Sequence, residues 1–187
     1  MERADIIRIL EDKTTDIKLV EKILQENIKD KEIESMVAMN LSLRTSVYDK
    51  SLEKSDTIKK ILVTLSNSLS MEARWAVAKN PHTPKEILEK LSLDKVNLVR
   101  ALVATNTNTS KEVLSKFFSD EKIVRDGLSG NPNTSLKLLN ILADDNDKMV
   151  RLRVAENKSA SKEILQKLSL DKNADVSLAA KKHLEEL

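Results

Sequence analysis

The second half of the chain repeats one pattern of about 26 residues. Copies begin at Ala73, Val99, Val124 and Val150, and a truncated copy begins at Val176, so successive starts lie 26, 25, 26 and 26 residues apart. A fixed period in this range is the signature of a stacked repeat architecture, in which each copy buries its apolar face against its neighbours. The repeat therefore excludes most other folds before any single residue is considered.

Each copy contains two segments whose apolar residues have helical spacing. The first segment carries two apolar residues four positions apart, and only about two turns fit before a recurring Asn, so we expect a short helix, partly 3₁₀ in character. The second carries an apolar trio at positions i, i+1 and i+4, which is one face of an α-helix. The trios are Ile87-Leu88-Leu91, Val113-Leu114-Phe117, Leu138-Leu139-Leu142 and Ile164-Leu165-Leu168. With no strand pattern present, the sequence predicts an all-α solenoid of short-helix/long-helix repeats.

A helix-start signal precedes each second helix. Thr83 is followed by Pro84 and a Glu three residues on, and Thr109 repeats this capping pattern. Thr134 keeps the same position, whereas Ala160 has lost it, with Ser159 or Ser161 as substitutes. Because Thr and Ser side chains cap helices and Pro suits the first helical turn, we expect the Thr column to provide the N-caps.

Three polar columns accompany the apolar ones. An Asn follows each first helix, and we expect a repeated turn device there, because Asn tolerates the left-handed conformation and bonds nearby backbone. These residues are Asn80, Asn106, Asn131 and Asn157. An Asp closes each second helix and an Arg opens each first helix. They are Asp94, Asp120, Asp145 and Asp171, and Arg74, Arg100, Arg125 and Arg151.

Each of the first three Asp residues precedes the next Arg by five or six positions, and Ser177 replaces the Arg in the last copy. A carboxylate at that place can cap the coming helix and also meet the guanidinium, which favours a structural ladder of Asp and Arg. The alternative is a row of exposed arginines presented to phosphate or carboxylate groups of a ligand.

The consensus V-R-x-x-V-A-x-N-P-x-T-P-x-E-I-L-x-x-L-S-x-D resembles the leucine-rich repeat variant family, one of the HEAT-like helical repeats. The likeness runs from Ala73 to the end of the chain and is densest in Arg74–Asp94 and Arg151–Asp171. It implies a right-handed superhelix of alternating helices. Some members carry an iron–sulfur cluster on N-terminal cysteines, but this chain has no Cys, so the cofactor is not carried over.

The N-terminal third repeats less regularly. Helical patterns cover Glu2–Asp12, Thr15–Asn27 and residues 31–40, and Asp56-Thr57 begins a further helix. We expect one elongated domain over residues 1–187. Within it, residues 1–56 form irregular helices and degraded repeats, 57–175 the regular repeats, and 176–187 a C-terminal capping half-repeat.

Two registers connect the irregular part to the repeats. In one, Met36–Asn40 matches Leu102–Asn106, which makes residues 41–54 an insertion. In the other, Leu43–Val47 matches Val150–Val154, which gives a 30-residue copy with a longer loop around Lys50–Asp56. The residues alone favour neither register.

Composition and motifs point away from catalysis. With 32 basic and 30 acidic residues interspersed, the chain carries a net charge of +2, which is typical of a solvated surface rather than a nucleic-acid footprint. His82 and His183 lie far apart and Cys is absent, so we expect no metal and no cofactor. The first residues lack the apolar segment of a signal peptide, and no run is long enough to span a membrane, so we expect a cytoplasmic location.

The sequence therefore favours a non-catalytic scaffold that binds a protein or peptide along its repeat surface. Arg74 and Trp75 are the candidate partner-binding residues, because Arg and Trp are preferred anchors of interfaces and this is the only Trp of the chain. The alternative function is binding of a nucleic-acid backbone by an exposed arginine column. It is disfavoured by the charge balance and by the lack of aromatic platforms for bases.

Overall fold

The computed structural model describes residues 1–44 and 56–187 of the chain. Within these residues the protein is all-α, as the repeat pattern predicts, with thirteen helices and no strand. The helices are α1 (Arg3–Glu11), α2 (Ile17–Glu26), α3 (Lys31–Arg44), α4 (Asp56–Leu65), α5 (Met71–Lys79), α6 (Lys85–Leu91), α7 (Asn97–Thr105), α8 (Lys111–Leu114), α9 (Lys122–Gly130), α10 (Leu136–Leu142), α11 (Lys148–Glu156), α12 (Lys162–Leu168) and α13 (Ala174–Glu185).

The residues divide into two compact units, Met1–Val99 and Arg100–Leu187. In the first unit, the first helices of successive copies (α1, α3 and α5) pack side by side, and α2 packs on α4. In the second unit, α9, α11 and α13 form the corresponding row. Each unit is therefore built by stacking equivalent helices of neighbouring copies, as expected of a helical repeat.

The apolar columns of the sequence form the core. The paired residues of the first helices, such as Val99 and Val103 or Val150 and Val154, are completely buried. The trios of the second helices are buried as well, except for Ile87, which is half-buried. At about 25 cal/mol per Å² of apolar surface removed from water, this burial is the main favourable contribution to folding.

The relative lengths of the two helices differ from expectation. The first helices α5, α7, α9 and α11 each have nine residues and are regular α-helices. The second helices α6, α10 and α12 have seven residues and α8 has four. A nine-residue helix fits before the Asn because it begins two residues earlier than its first recurring apolar residue.

The N-caps of α6, α8 and α10 lie one residue later than predicted, whereas Ser161 of α12 is one of the two expected substitutes. Ser110, Ser135 and Ser161 accept hydrogen bonds from backbone amides in the first turns of α8, α10 and α12. Pro84 occupies the N-cap of α6 without a side-chain bond. The hydroxyl of Thr83 instead donates to the carbonyl of Val77, at 2.6 Å, and Thr109 and Thr134 make the equivalent bond. The Thr column therefore ties the turn back to the first helix.

Hydrogen bonds from Asn40 favour one of the two registers of the N-terminal copies. Its amide nitrogen donates to the carbonyls of Leu10 and Asp12 at 2.8 and 3.1 Å. Asn131 and Asn157 bond the preceding copy in the same way. Asn40 thus belongs to the Asn column, which supports the register that matches residues 36–40 to 102–106. Of the 14 added residues 41–54, the first four prolong α3, and residues 45–54, like the rival match through residue 47, lie outside the described part.

The third copy keeps its first helix although it contains two glycines. In α9, a Cβ added to Gly127 would lie 2.7 Å from the carbonyl oxygen of Ala101 and 3.0 Å from Thr105 Cγ2. This distance is too short for any side chain, so Gly127 allows α9 to approach the backbone of α7 closely. Gly130 meets no such restriction.

Candidate functional site

The four arginines that open the first helices each bind an aspartate of their own copy. In each pair, Nε and Nη2 of the arginine donate to the two carboxylate oxygens at 2.6–3.2 Å. The partners lie 20 residues apart in every case: Arg74–Asp94, Arg100–Asp120, Arg125–Asp145 and Arg151–Asp171. We call these pairs the arginine–aspartate row. Its bidentate geometry is the strong form of a charge-assisted hydrogen bond.

The pairing differs from the one that sequence proximity suggests. Asp145 lies six residues before Arg151, yet its side chain binds Arg125. Arg151 donates instead to the backbone carbonyl oxygen of Asp145, at 2.7 Å. Arg125 bonds the carbonyl of Asp120 in the same way. The aspartate does not cap the coming helix either, because Asp147 is the N-cap of α11. Asp145 instead accepts a hydrogen bond from the amide of Asp147.

Electrostatics within the row favour the charged forms. The hydrogen bond from Arg151 lowers the pKa of Asp171 below its ordinary value, although burial opposes this. For Asp145, burial is the larger single effect and raises the pKa, but the Arg125 hydrogen bond, the Asp147 amide and the Arg125 charge together outweigh it, so its pKa is also lowered. These carboxylates therefore remain ionised at neutral pH.

The row has little surface to offer a ligand. The side chains of its arginines are only 7–23% exposed. Arg74 also donates to the carbonyls of Ser68 and Ser70. Arg74, which the sequence placed at a binding surface, is thus mostly buried, and its guanidinium is engaged within the protein. The same burial argues against an exposed arginine column for nucleic-acid backbones.

The Asn column joins neighbouring copies rather than forming left-handed turns. Asn80, Asn131 and Asn157 have extended backbone, with φ between −67° and −75°. The side-chain oxygen of each accepts an amide two residues on, and the Nδ2 atoms of Asn131 and Asn157 each donate to two carbonyls of the preceding copy. A carboxamide suits this position because its oxygen can accept one bond while its NH₂ group donates two.

Trp75, unlike Arg74, lies on a surface groove of about 550 Å³ in the first unit. The groove runs between α3 and α5, and the start of α7 closes one side. Trp75 is half-buried, and two apolar neighbours are largely exposed, Met39 at 63% and Leu98 at 42%. The full lining is Ser35, Ala38, Met39, Ser42, Met71, Glu72, Trp75, Ala76, Lys79 and Leu98. We call this surface the Trp75 groove.

Charged groups lie at the two ends of α5 along the Trp75 groove. Lys79, the last residue of α5, places its ammonium 5.1 Å from the centre of the Trp75 ring, a cation–π contact. Glu72, in the first turn, accepts a hydrogen bond from the Ser70 hydroxyl, which lowers its pKa. The groove is therefore apolar along its length, with a cation at one end and a carboxylate at the other.

Sequence reasoning singled out Trp75 but not the residues beside it. Met39 belongs to an irregular copy whose register the residues left open, and Leu98 sits one residue before the buried Val99. Met71 precedes the first repeated position. A signal was present in Ser35, Ala38, Met39 and Ser42, whose i, i+3, i+4, i+7 spacing marks one helical face.

The described residues contain no cluster of three His, Cys, Asp or Glu side chains that could hold a metal ion. Among the same residues, none of the helices has the length and apolar character to cross a membrane.

No protein-family model and no curated protein matches the chain. Among solved structures, a protein described as a leucine-rich repeat variant with a novel repetitive protein structural motif is similar to it. The similarity covers 92% of this chain and 84% of the other, with 20% identity and a TM-score of 0.35.

Proposed function

We propose that the protein is a non-catalytic scaffold that binds a protein or peptide partner in the Trp75 groove. The observation that carries this proposal is the groove itself, where a half-buried Trp and exposed Met and Leu side chains form one continuous apolar surface. Trp is enriched among the residues that dominate binding energies, and methionine side chains adapt to the shape of a partner. Helical repeats commonly present such surfaces to extended ligands.

A photoreactive amino acid at position 39, at the rim of the groove, tests the proposal in cells that express the protein. Irradiation should join it to a defined partner, which mass spectrometry identifies. The matched control carries the same amino acid at position 93, because Leu93 is also in the first unit and is 78% exposed but lies outside the groove. We expect the position-39 adduct to be absent from the control and to be lost in a Trp75→Ala background.

Two results would contradict the proposal. One is the same set of adducts from positions 39 and 93, and the other is an adduct that survives Trp75→Ala although the protein remains folded by circular dichroism.

The nucleic-acid alternative has its own test. Because the row arginines are engaged by aspartates, titration with short single-stranded and duplex oligonucleotides should show no submicromolar, salt-dependent binding.

A further inference from the structure

The walls of the Trp75 groove are faces of two helices. From α3 come Ser35, Ala38, Met39 and Ser42, and from α5 come Met71, Glu72, Trp75, Ala76 and Lys79. Each set spans about two helical turns, roughly 10 Å at 1.5 Å per residue. The groove therefore follows the two helices lengthwise and has the shape that a further short helix would fill.

Apart from the charged groups of Glu72 and Lys79, the polar groups of these walls are already hydrogen-bonded within the protein. Backbone amides and carbonyls within α3 and α5 bond along their own helices. The hydroxyl of Ser35 donates to the carbonyl of Lys31 at 2.7 Å, and that of Ser42 to the carbonyl of Ala38 at 3.0 Å. An extended peptide in this groove would leave the amides and carbonyls that face the walls without partners, which is unfavourable. A helical occupant avoids this cost because its backbone bonds are internal.

The charges of Glu72 and Lys79 determine where charged residues must lie on a bound helix. Glu72 and Lys79 lie seven residues apart on α5, about 10 Å along its axis. A bound helix that carries a carboxylate near Lys79 must therefore carry a cation about seven residues away to meet Glu72. Between them, apolar side chains at three- and four-residue spacing would cover Trp75 and the two methionines.

We infer that the occupant of the Trp75 groove is an amphipathic α-helix of a partner protein, with a carboxylate placed against Lys79 and a cation placed against Glu72. This inference rests on the proposed function, since it presupposes a protein partner at that groove. It adds the conformation of the bound segment and the order of its charges.

Two peptide-display libraries test the inference on the full chain. One randomises the exposed face of a stable single-helix scaffold, and the other consists of unstructured random peptides of the same length. Selected peptides are resynthesised and titrated, with the emission of Trp75, the only Trp, as the signal. Binders should come from the helical library and carry Asp or Glu and Lys or Arg about seven positions apart. A Pro placed mid-helix should abolish their binding.

Charge reversal provides the decisive comparison. Lys79→Glu should weaken the selected helix at least about threefold, and a peptide with its acidic residue changed to Lys should recover the lost affinity. Lys85→Glu, an exposed Lys of α6 outside the groove, is the matched control and should change nothing. Enrichment from the unstructured library, or equal binding by wild type and Lys79→Glu, would overturn the inference.

The two proposals fail in different ways. If photoreactive residue 39 captures a partner but selected binders are not helical, the inference is wrong and the scaffold function stands. If residue 39 captures nothing that depends on Trp75, the proposed function itself is wrong. Self-association that Trp75→Ala removes would assign the groove to a second copy of this chain and overturn the inference.

Discussion

Arg125 holds the carboxylate of Asp145 with two hydrogen bonds of 2.6 and 3.1 Å, although the two residues are 20 positions apart and Asp145 lies only six before Arg151. The bonds link the start of one copy's first helix to the turn that ends its second helix. The arginine also reaches back to the carbonyl of Asp120. One guanidinium therefore joins three successive polar segments, and Arg74 and Arg151 do the same.

Asp145→Ala should destabilise the second unit by about 2–3 kcal/mol. The substitution removes two charge-assisted hydrogen bonds and leaves a largely buried guanidinium without its carboxylate. Urea unfolding followed by circular dichroism at neutral pH measures the change.

Its neighbour supplies the control. Asp144 also binds a cation, Lys167 at 2.6 Å, but its side chain is 64% exposed. Asp144→Ala should therefore cost less than about 1 kcal/mol, as is usual for surface pairs. Equal losses for the two variants would mean that burial does not distinguish the row from ordinary surface ion pairs.

The row should also make the protein sensitive to acid. Hydrogen bonds from Arg100 and Arg151 lower the pKa values of Asp120 and Asp171 in the folded state. Because these values are depressed, their contribution to stability is complete above the unfolded pKa of about 3.9 and is lost as the pH falls through the folded values. Urea midpoints should therefore be level above about pH 5 and should decline below about pH 4.

Asp171→Asn is the matched variant for the acid prediction. It should be less stable than wild type at neutral pH. The difference in unfolding free energy should shrink below about pH 4, because the wild type then loses the contribution of ionised Asp171, which the variant lacks at every pH. A difference that stays constant from pH 6 to pH 2.5 would contradict the linkage.

Asp126 should behave in the opposite sense. Burial raises its pKa, and Arg153, whose Nε lies 3.8 Å away, does not fully compensate. A raised pKa means that the folded state disfavours the ionised form, so the cost exists above the folded pKa and disappears below the unfolded value. Asp126→Asn should thus stabilise the protein at pH 7 by less than about 1 kcal/mol, since its side chain is 31% exposed.

The gain from Asp126→Asn should vanish below about pH 4 in the same urea measurement. Asp175→Asn is the control, because that carboxylate is 68% exposed in its pair with Lys148 and its loss should change stability little. A destabilised Asp126→Asn would show that the pair with Arg153 matters more than burial.

The two glycines of α9 should respond to alanine with opposite signs. Gly127→Ala places a methyl group 2.7 Å from the backbone oxygen of Ala101, so α9 must move away from α7. We expect a loss of about 1–3 kcal/mol, the usual cost of overpacking. Gly130→Ala meets only Arg153 Cδ at 3.9 Å and should be neutral or stabilising by up to about 1 kcal/mol, because Ala favours the helix. Thermal unfolding of both variants measures these changes. An unchanged unfolding temperature for Gly127→Ala would contradict the close approach of α9 to α7.

Much of the fold could be predicted from the residues because helices depend on local spacing. The trio Leu138-Leu139-Leu142 and the pair Val150 and Val154 predicted two helices per copy, and the structure buries them. The N-cap of α10 was predicted one residue too early, since Thr134 and Ser135 are both good caps and only the backbone shows that Ser135 is used. The lengths of the first helices were misjudged because they were counted from the first recurring apolar residue, which leaves out the two helical residues before it, such as Asn97 and Leu98.

Only the tertiary structure decided the contacts between distant positions. Asp145 has an arginine on either side in sequence, and the fold, not the sequence distance, selects Arg125. Trp75 could be recognised as unusual from its residue type, but the groove exists because stacking brings Met39 and Leu98 beside it. The spacing of apolar residues within one helix can be read directly from the sequence. A groove forms only when helices from three copies stack in one register. That register is supported by the hydrogen bonds of Asn40, a residue whose partners lie about 30 positions away.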